Sequence, residues 1–165
     1  MAGDRRKVLV VGIDGGTMSL VGPWARRGEL PNLARLISDG TSGALRSTIH
    51  PLTPQAWSSF LTGMNPGKHG IYDFGRRRPG SYELGLTDST MRRAPAIWSY
   101  LEEHDLLTGV INVPLTFPPE PVHGYQITGM HTPTLEEGVP VELMDDLREV
   151  APDYRIDVMS PWYDD

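Results

Sequence analysis

The stretch KVLVVGIDGGT, residues 7–17, indicates the fold class of this chain. Residues 7–13 form a continuous apolar, β-branched run, which is typical of a strand covered on both faces. Asp14 follows at once, ahead of two glycines, where that strand should end. Asp and Gly are ordinary turn residues, but the carboxyl ends of the strands in an open α/β sheet are also where ligands bind.

Helical and strand patterns alternate along the rest of the chain. Helices are expected at 20–27, 31–39, 54–62, 94–104 and 141–150, and further strands at 43–49, 107–113 and 125–128. This alternation predicts an α/β fold with a largely parallel sheet flanked by helices on both faces. A doubly wound sheet normally has more strands, so we expect residues 1–165 to be part of a larger domain.

The composition excludes several classes of protein. With 39% hydrophobic residues and a net charge of −6, the chain is expected to be globular and not to bind a nucleic acid polymer, which requires clustered Lys and Arg. We interpret the one dense basic run, residues 76–78, as a solvated loop. Cysteine is absent, which excludes disulfides and thiolate chemistry. No segment approaches the roughly 20 apolar residues of a membrane helix, so we expect a cytoplasmic protein; the oligomeric state stays open.

Thr53 and Asp14 are the residues best suited to chemistry. Thr53 stands directly before Pro54, so it is a candidate helix N-cap with Pro54 at the first helical position. If the strand at 7–13 and this helix meet the same sheet edge, the hydroxyl and the carboxylate converge at a helix N-terminus, which attracts anions. A cation held by Asp14 would activate the hydroxyl as a nucleophile. On spacing alone, a helix cap at Thr53 and a turn at Asp14 are the favoured interpretation of the two residues.

The longer motifs resemble the type I phosphodiesterase and nucleotide pyrophosphatase family of the alkaline phosphatase superfamily. The resemblance is carried by GIDGGT at 12–17, LTPQAWSSFLTGMNPGKHGIYDF at 52–74 and INVPLTFPPEPVHGYQITGMHTPT at 111–134. It implies an alkaline phosphatase-like fold and a hydrolase for small-molecule phosphate esters that acts through a phospho-threonine intermediate. It also implies two divalent metal ions, zinc by preference with manganese as an alternative.

By this resemblance, Thr53 matches the nucleophile and a metal ligand, and Asp14 matches the first metal-binding Asp. Gln55, Asn112 and Lys68 are candidate substrate-binding residues, and His69 is interpreted as fixing its loop. We expect a loop-rich rim around 65–93 and 114–139 to form the walls of the pocket.

Two departures from the family pattern limit these inferences. Phe74 stands where the nucleotide pyrophosphatases have an Asn that holds a phosphate oxygen, and no Asp-His dipeptide supplies the later metal ligands. We therefore expect this chain to be the N-terminal part of the hydrolase domain and inactive alone. The alternative is a non-catalytic or degenerate ligand-binding fragment of the same fold. A sulfatase and a Rossmann-type binding module are disfavoured because their signature spacings are missing.

Overall fold

The computed structural model describes residues 7–130 and 138–156. The chain divides into two compact units between Arg46 and Ser47. The first unit contains two helices, α1 (Met18–Arg26) and α2 (Pro31–Asp39), which pack against each other. Thr17 caps α1 through its hydroxyl, which accepts from the Ser19 N–H at 3.3 Å. Both helices confirm the sequence prediction to within two residues.

The predicted strands at 7–13 and 43–49 are wrong. Neither stretch has regular secondary structure, and Leu9 and Leu45 are 87% and 89% exposed. A β-branched run has a propensity for extended backbone, but a strand also needs a neighbour to accept and donate its backbone hydrogen bonds. All strand pairs in the described part of the chain are formed by segments between residues 75 and 139.

The second unit contains four α-helices, one 3₁₀ helix and five strands within its described residues. In chain order these elements are α3 (Thr53–Thr62), α4 (Pro66–His69), β1 (Gly75–Arg77), β2 (Leu84–Leu86), the 3₁₀ helix (Ser89–Met91), α5 (Ile97–Glu102), β3 (Thr108–Val113), β4 (Gly124–Thr128), β5 (Gly138–Val139) and α6 (Glu142–Val150). The strands predicted at 107–113 and 125–128 and the helix predicted at 141–150 are each confirmed to within one residue. The helix predicted from 94 begins at Ile97, three residues later.

The strands form two small sheets. β1 and β2 make an antiparallel hairpin, while β3 and β4 pair in parallel and β5 joins β4 antiparallel. The fold is therefore α/β as predicted, with a sheet that is small and mixed. Residues 114–123, which connect β3 to β4, are rich in proline and contain no helix. Gly129 follows β4 so closely against Val113 that a Cβ atom would collide with the Val113 carbonyl group.

A compact apolar cluster holds α3 in the second unit. Leu61 of α3 packs with Ala96, Trp98 of α5 and Val110 of β3, and all four are at most 6% exposed. Ile97, the first residue of α5, is 52% exposed, whereas its neighbour Trp98 is 2% exposed and faces the cluster. The cluster fixes α3, and with it Thr53, relative to the strands β3 and β4.

Candidate active site at the start of helix α3

Thr53 is the first residue of α3 and is partly buried. The N-cap is Leu52, whose backbone is extended and whose carbonyl accepts the Ala56 N–H at 2.9 Å. The predicted N-cap position of Thr53 is thus wrong by one residue, because the hydrogen-bond ladder already starts from Leu52. Pro54 occupies the second helical position, where its lack of an N–H group breaks no helical hydrogen bond.

The loop before Thr53 is fixed by the His50 carbonyl group. His50 has a left-handed backbone with φ of 61°, which is uncommon for a residue with a side chain. Its carbonyl oxygen accepts the Leu52 N–H at 2.8 Å and the Thr48 hydroxyl at 3.2 Å. These contacts hold the backbone that leads into Thr53 in one path.

The Gln55 side chain stabilises the same loop through hydrogen bonds. Its side chain is 5% exposed, and with the amide nitrogen turned toward the loop it donates to the carbonyl groups of Ile49, at 2.7 Å, and His50. The donors of this predicted substrate-binding residue are therefore engaged within the protein. The arrangement makes Gln55 a brace between the first turn of α3 and the loop that precedes it.

His69 braces the middle of α3. It is fully buried, and its Nδ1 accepts the Ile71 N–H at 3.1 Å. Because Nδ1 is an acceptor, the ring proton lies on Nε2, which donates to the Ser59 hydroxyl at 2.9 Å. Burial, and secondarily the positive charge of Arg92, lower the pKa of His69 below its ordinary value, so the neutral ring is the stable form. This is the loop-fixing role expected from the sequence.

The other candidate residues lie on separate elements. Lys68 is an exposed residue of α4, and its backbone N–H donates to the Asn65 side chain at 3.2 Å. Asn112 is exposed at the irregular register between β3 and β4, with φ of 53°. Asp14 lies in the exposed turn after residues 7–13, in the first unit. Thr53 and Gln55 share one helical turn, whereas the convergence of Thr53 with Asp14 stays a prediction.

The acidic and imidazole side chains of the described residues do not gather into a metal-binding cluster. Asp14 and Thr53 would contribute one carboxylate and one hydroxyl, both hard oxygen ligands. Within residues 7–130 and 138–156, no group of three or more His, Asp or Glu side chains is placed to hold a metal ion. A two-metal centre needs more ligands than these two residues provide, so the described residues do not by themselves form such a centre.

A buried ion pair that the sequence did not reveal supports the rim. Glu120 accepts hydrogen bonds from Arg92 and from the Trp98 indole N–H, the latter at 3.1 Å. The Arg92 side chain is only 2% exposed and lies over the Trp98 ring at 5.6 Å. The backbone N–H of Glu120 also donates to Gln126 of β4 at 2.8 Å. This network ties residues 114–123 to α5, although the proline-rich sequence around Glu120 indicated only an irregular segment.

The α/β fold and the family match that covers most of the chain support a hydrolase of phosphoric esters at the level of the family. The chain belongs to the type I phosphodiesterase / nucleotide pyrophosphatase family, whose model matches residues 8–163. No curated protein and no solved structure shows a significant match to the chain. Members of this family are typically metal-dependent. None of the helices that the structure describes is long and apolar enough to cross a membrane.

Proposed function

We propose that this protein hydrolyses a small-molecule phosphate ester with Thr53 as the nucleophile. The observation that carries the proposal is the family match over residues 8–163, which includes Thr53 at the head of a ten-residue helix. In the first step the Thr53 oxygen bonds to phosphorus, the bond to the leaving oxygen breaks, and the hydroxyl proton is passed to the departing alcohol. Water then attacks phospho-Thr53, releases phosphate and returns a proton to the threonine.

Residues of this chain hold Thr53 in place and direct positive charge toward it. The ladder of α3 begins at the Ala56 N–H, so the N-terminal end of the helix directs its positive dipole toward Thr53. A phosphoryl group bonded to Thr53 carries its negative oxygens at that end of the helix. The braces from His50, Gln55 and His69 keep the helix in place, which favours an attack geometry that is set before the substrate binds.

The proposed metal ligands on this chain are Asp14 and Thr53. Divalent cations, zinc or manganese, lower the pKa of a bound hydroxyl and neutralise a phosphoryl group. Such cations require further ligands besides these two side chains, so we propose that residues 1–165 act as the N-terminal part of the complete hydrolase domain. The competing possibility is that the chain binds a phosphate ester without turning it over.

The proposal is tested by trapping the intermediate. Residues 1–165, together with any C-terminal segment encoded after Asp165, are incubated with zinc or manganese and a p-nitrophenyl phosphate mono- or diester, quenched in acid and analysed by peptide mass spectrometry. We expect a phosphoryl group on the peptide containing Thr53, retained in Thr53→Ser and lost in Thr53→Ala. Asp14→Asn should reduce both phosphorylation and metal affinity.

Two results would count against the proposal. A phosphoryl group on another residue in Thr53→Ala would refute the nucleophile assignment. If wild-type protein, alone and with any C-terminal segment encoded after Asp165, binds both esters but never becomes phosphorylated, the binding-only alternative is correct.

A further inference from the structure

The second unit contains a shallow cavity whose lining is rich in arginine. Its volume is about 150 Å³, and residues 70–73, Gly75 and Arg76 form most of its wall together with Thr87, Met91 and Arg93. Two guanidinium groups, from Arg76 and Arg93, and one carboxylate, from Asp73, belong to the lining. The cavity therefore has an excess of positive charge on a protein whose net charge is −6.

Strand alternation explains how Arg76 reaches this cavity. Successive side chains of a strand point to opposite faces, so Arg76 and Arg77 of β1 diverge. Arg77 lies over the Tyr82 ring at 5.0 Å, and Arg78 pairs with Glu83 at 3.5 Å. The predicted solvent exposure of the basic run is confirmed for all three arginines, but the run lies on β1 and the turn after it rather than in a loop. The three side chains have three environments, of which Arg76 is the one that lines the cavity.

Gly70 positions Arg93. A Cβ atom at Gly70 would lie 3.2 Å from the Arg93 Nε and 3.3 Å from its Cδ, so the absence of a side chain lets the arginine lie flat against the backbone. Gly70 has φ of +78°, a left-handed conformation that favours glycine. The Arg93 backbone N–H donates to the His69 carbonyl at 2.9 Å. Arg93 is thus held on both its backbone and its side-chain stem.

The two guanidinium groups have no ion-pair partner among residues 7–130 and 138–156. Three other described arginines of the second unit do have one, since Arg92 pairs with Glu120, Arg78 with Glu83 and Arg148 with Asp145. The Asp73 Oδ1 in the cavity instead accepts the Phe74 N–H at 2.7 Å. A planar guanidinium with several fixed N–H donors matches the oxygen geometry of a phosphate group.

We propose that the cavity lined by Arg76 and Arg93 is a binding site for a phosphate group, separate from the reacting phosphoryl at Thr53. Small-molecule sites that hold a whole ligand enclose roughly 300–1,000 Å³, so a cavity of about 150 Å³ accommodates one such group and not a nucleoside. The phosphate belongs either to a second position on an ester or to free inorganic phosphate. This site extends the proposed function without depending on Thr53.

The test measures phosphate binding in a background that cannot turn over substrate. Thr53→Ala protein is titrated with inorganic phosphate and, in a second arm, with phenyl phosphate, by calorimetry and by NMR of the arginine side-chain Nε–Hε signals. We expect Arg76→Gln and Arg93→Gln each to weaken binding by about tenfold or more, because each removes a charge-assisted contact. Asp73→Asn should strengthen binding by removing a like charge, and added salt should weaken it.

Arg78→Gln is the matched control, since Arg78 lies beside Arg76 but is paired with Glu83. It should change the affinity by less than about twofold. Binding of only one of the two probes identifies the source of the phosphate and supports the site. The proposal is overturned if neither probe binds, or if Arg76→Gln and Arg93→Gln bind like the parent while circular dichroism shows all variants folded. Loss of Thr53 phosphorylation would leave this result unchanged, so the two proposals fail independently.

Discussion

Replacing Glu120 by Gln should destabilise the second unit strongly. The side chain of Arg92 is 2% exposed, and in the variant its charge would lose the carboxylate that neutralises it. Removing one partner of a buried ion pair typically costs about 3–5 kcal/mol. Glu120 is itself 32% exposed, so water can approach the pair, and the new amide still accepts from the Trp98 indole. We therefore expect a loss of about 2–4 kcal/mol in the free energy of unfolding.

The Arg78–Glu83 pair provides a control with the same chemistry and a different environment. Its nearest N and O atoms are 3.5 Å apart, and the two side chains are 68% and 71% exposed. Glu83→Gln should cost less than about 1 kcal/mol, because exposed pairs are well screened by water. Both pairs belong to the unit that starts at Ser47, so the same unfolding transition reports on both.

Urea unfolding followed by far-ultraviolet circular dichroism measures the difference. Trp fluorescence is a poorer probe, because Trp98 is part of the network. With a slope near 2 kcal/mol per molar urea, Glu120→Gln should lower the midpoint by about 1–2 M and Glu83→Gln by less than about 0.5 M. The double variant Arg92→Met with Glu120→Gln should recover part of the loss, since no buried charge is left unpaired. Equal midpoint shifts for the two single variants would refute the reasoning.

Two further predictions concern the braces around α3. Burial lowers the folded-state pKa of His69 below its ordinary value of 6.5, so the unfolded chain binds more protons than the folded one just below that pH. The free energy of unfolding is therefore highest above pH 6.5 and decreases as the pH falls toward the folded-state pKa. Urea midpoints between pH 5 and 8 should show this slope, and His69→Gln should flatten it; an unchanged slope would assign the effect to other groups. Gly63 ends α3 with φ of +64° and open space around its Cα, so Gly63→Ala should cost about 1–2 kcal/mol through backbone conformation alone. A thermal melt checks this value, and an unchanged midpoint would contradict it.

Local signals in the sequence predicted five of the six α-helices of the described residues and the strands β3 and β4, but not α4, β1, β2 or β5. Pro31 and Gly40 bracket α2, and Gly63 ends α3, because proline suits the first helical turn and glycine suits the residue after the last one. Strands β3 and β4 were recognised from short β-branched runs bounded by turn residues. These features depend on neighbouring residues alone, so they can be read without knowing the tertiary structure.

Burial was predicted less well, because it depends on partners that are distant in sequence. The run at 7–13 is expected from its sequence to be covered on both faces, yet Val8 and Leu9 are 84% and 87% exposed. Conversely, Glu120 lies in a stretch that looks like a solvated loop but supplies the counter-ion for Arg92. Hydropathy indicates whether a residue favours a buried or an exposed position, but tertiary packing between elements decides whether it is buried.

The candidate site shows the same division between local and long-range information. Thr53 and its place at the start of a helix follow from the residues around it, with an error of one position. The brace from His69 to Ser59 was expected only in outline, since the sequence gives the loop but not the ring tautomer or its partner. The sequence did not predict the cavity at Arg76 and Arg93, because the two arginines are 17 positions apart in the chain. The pleat of β1 sets the direction of Arg76, and the absence of a side chain at Gly70 makes room for Arg93. A basic run that is exposed throughout can therefore still contain a side chain that lines a cavity, and the strand register shows which one it is.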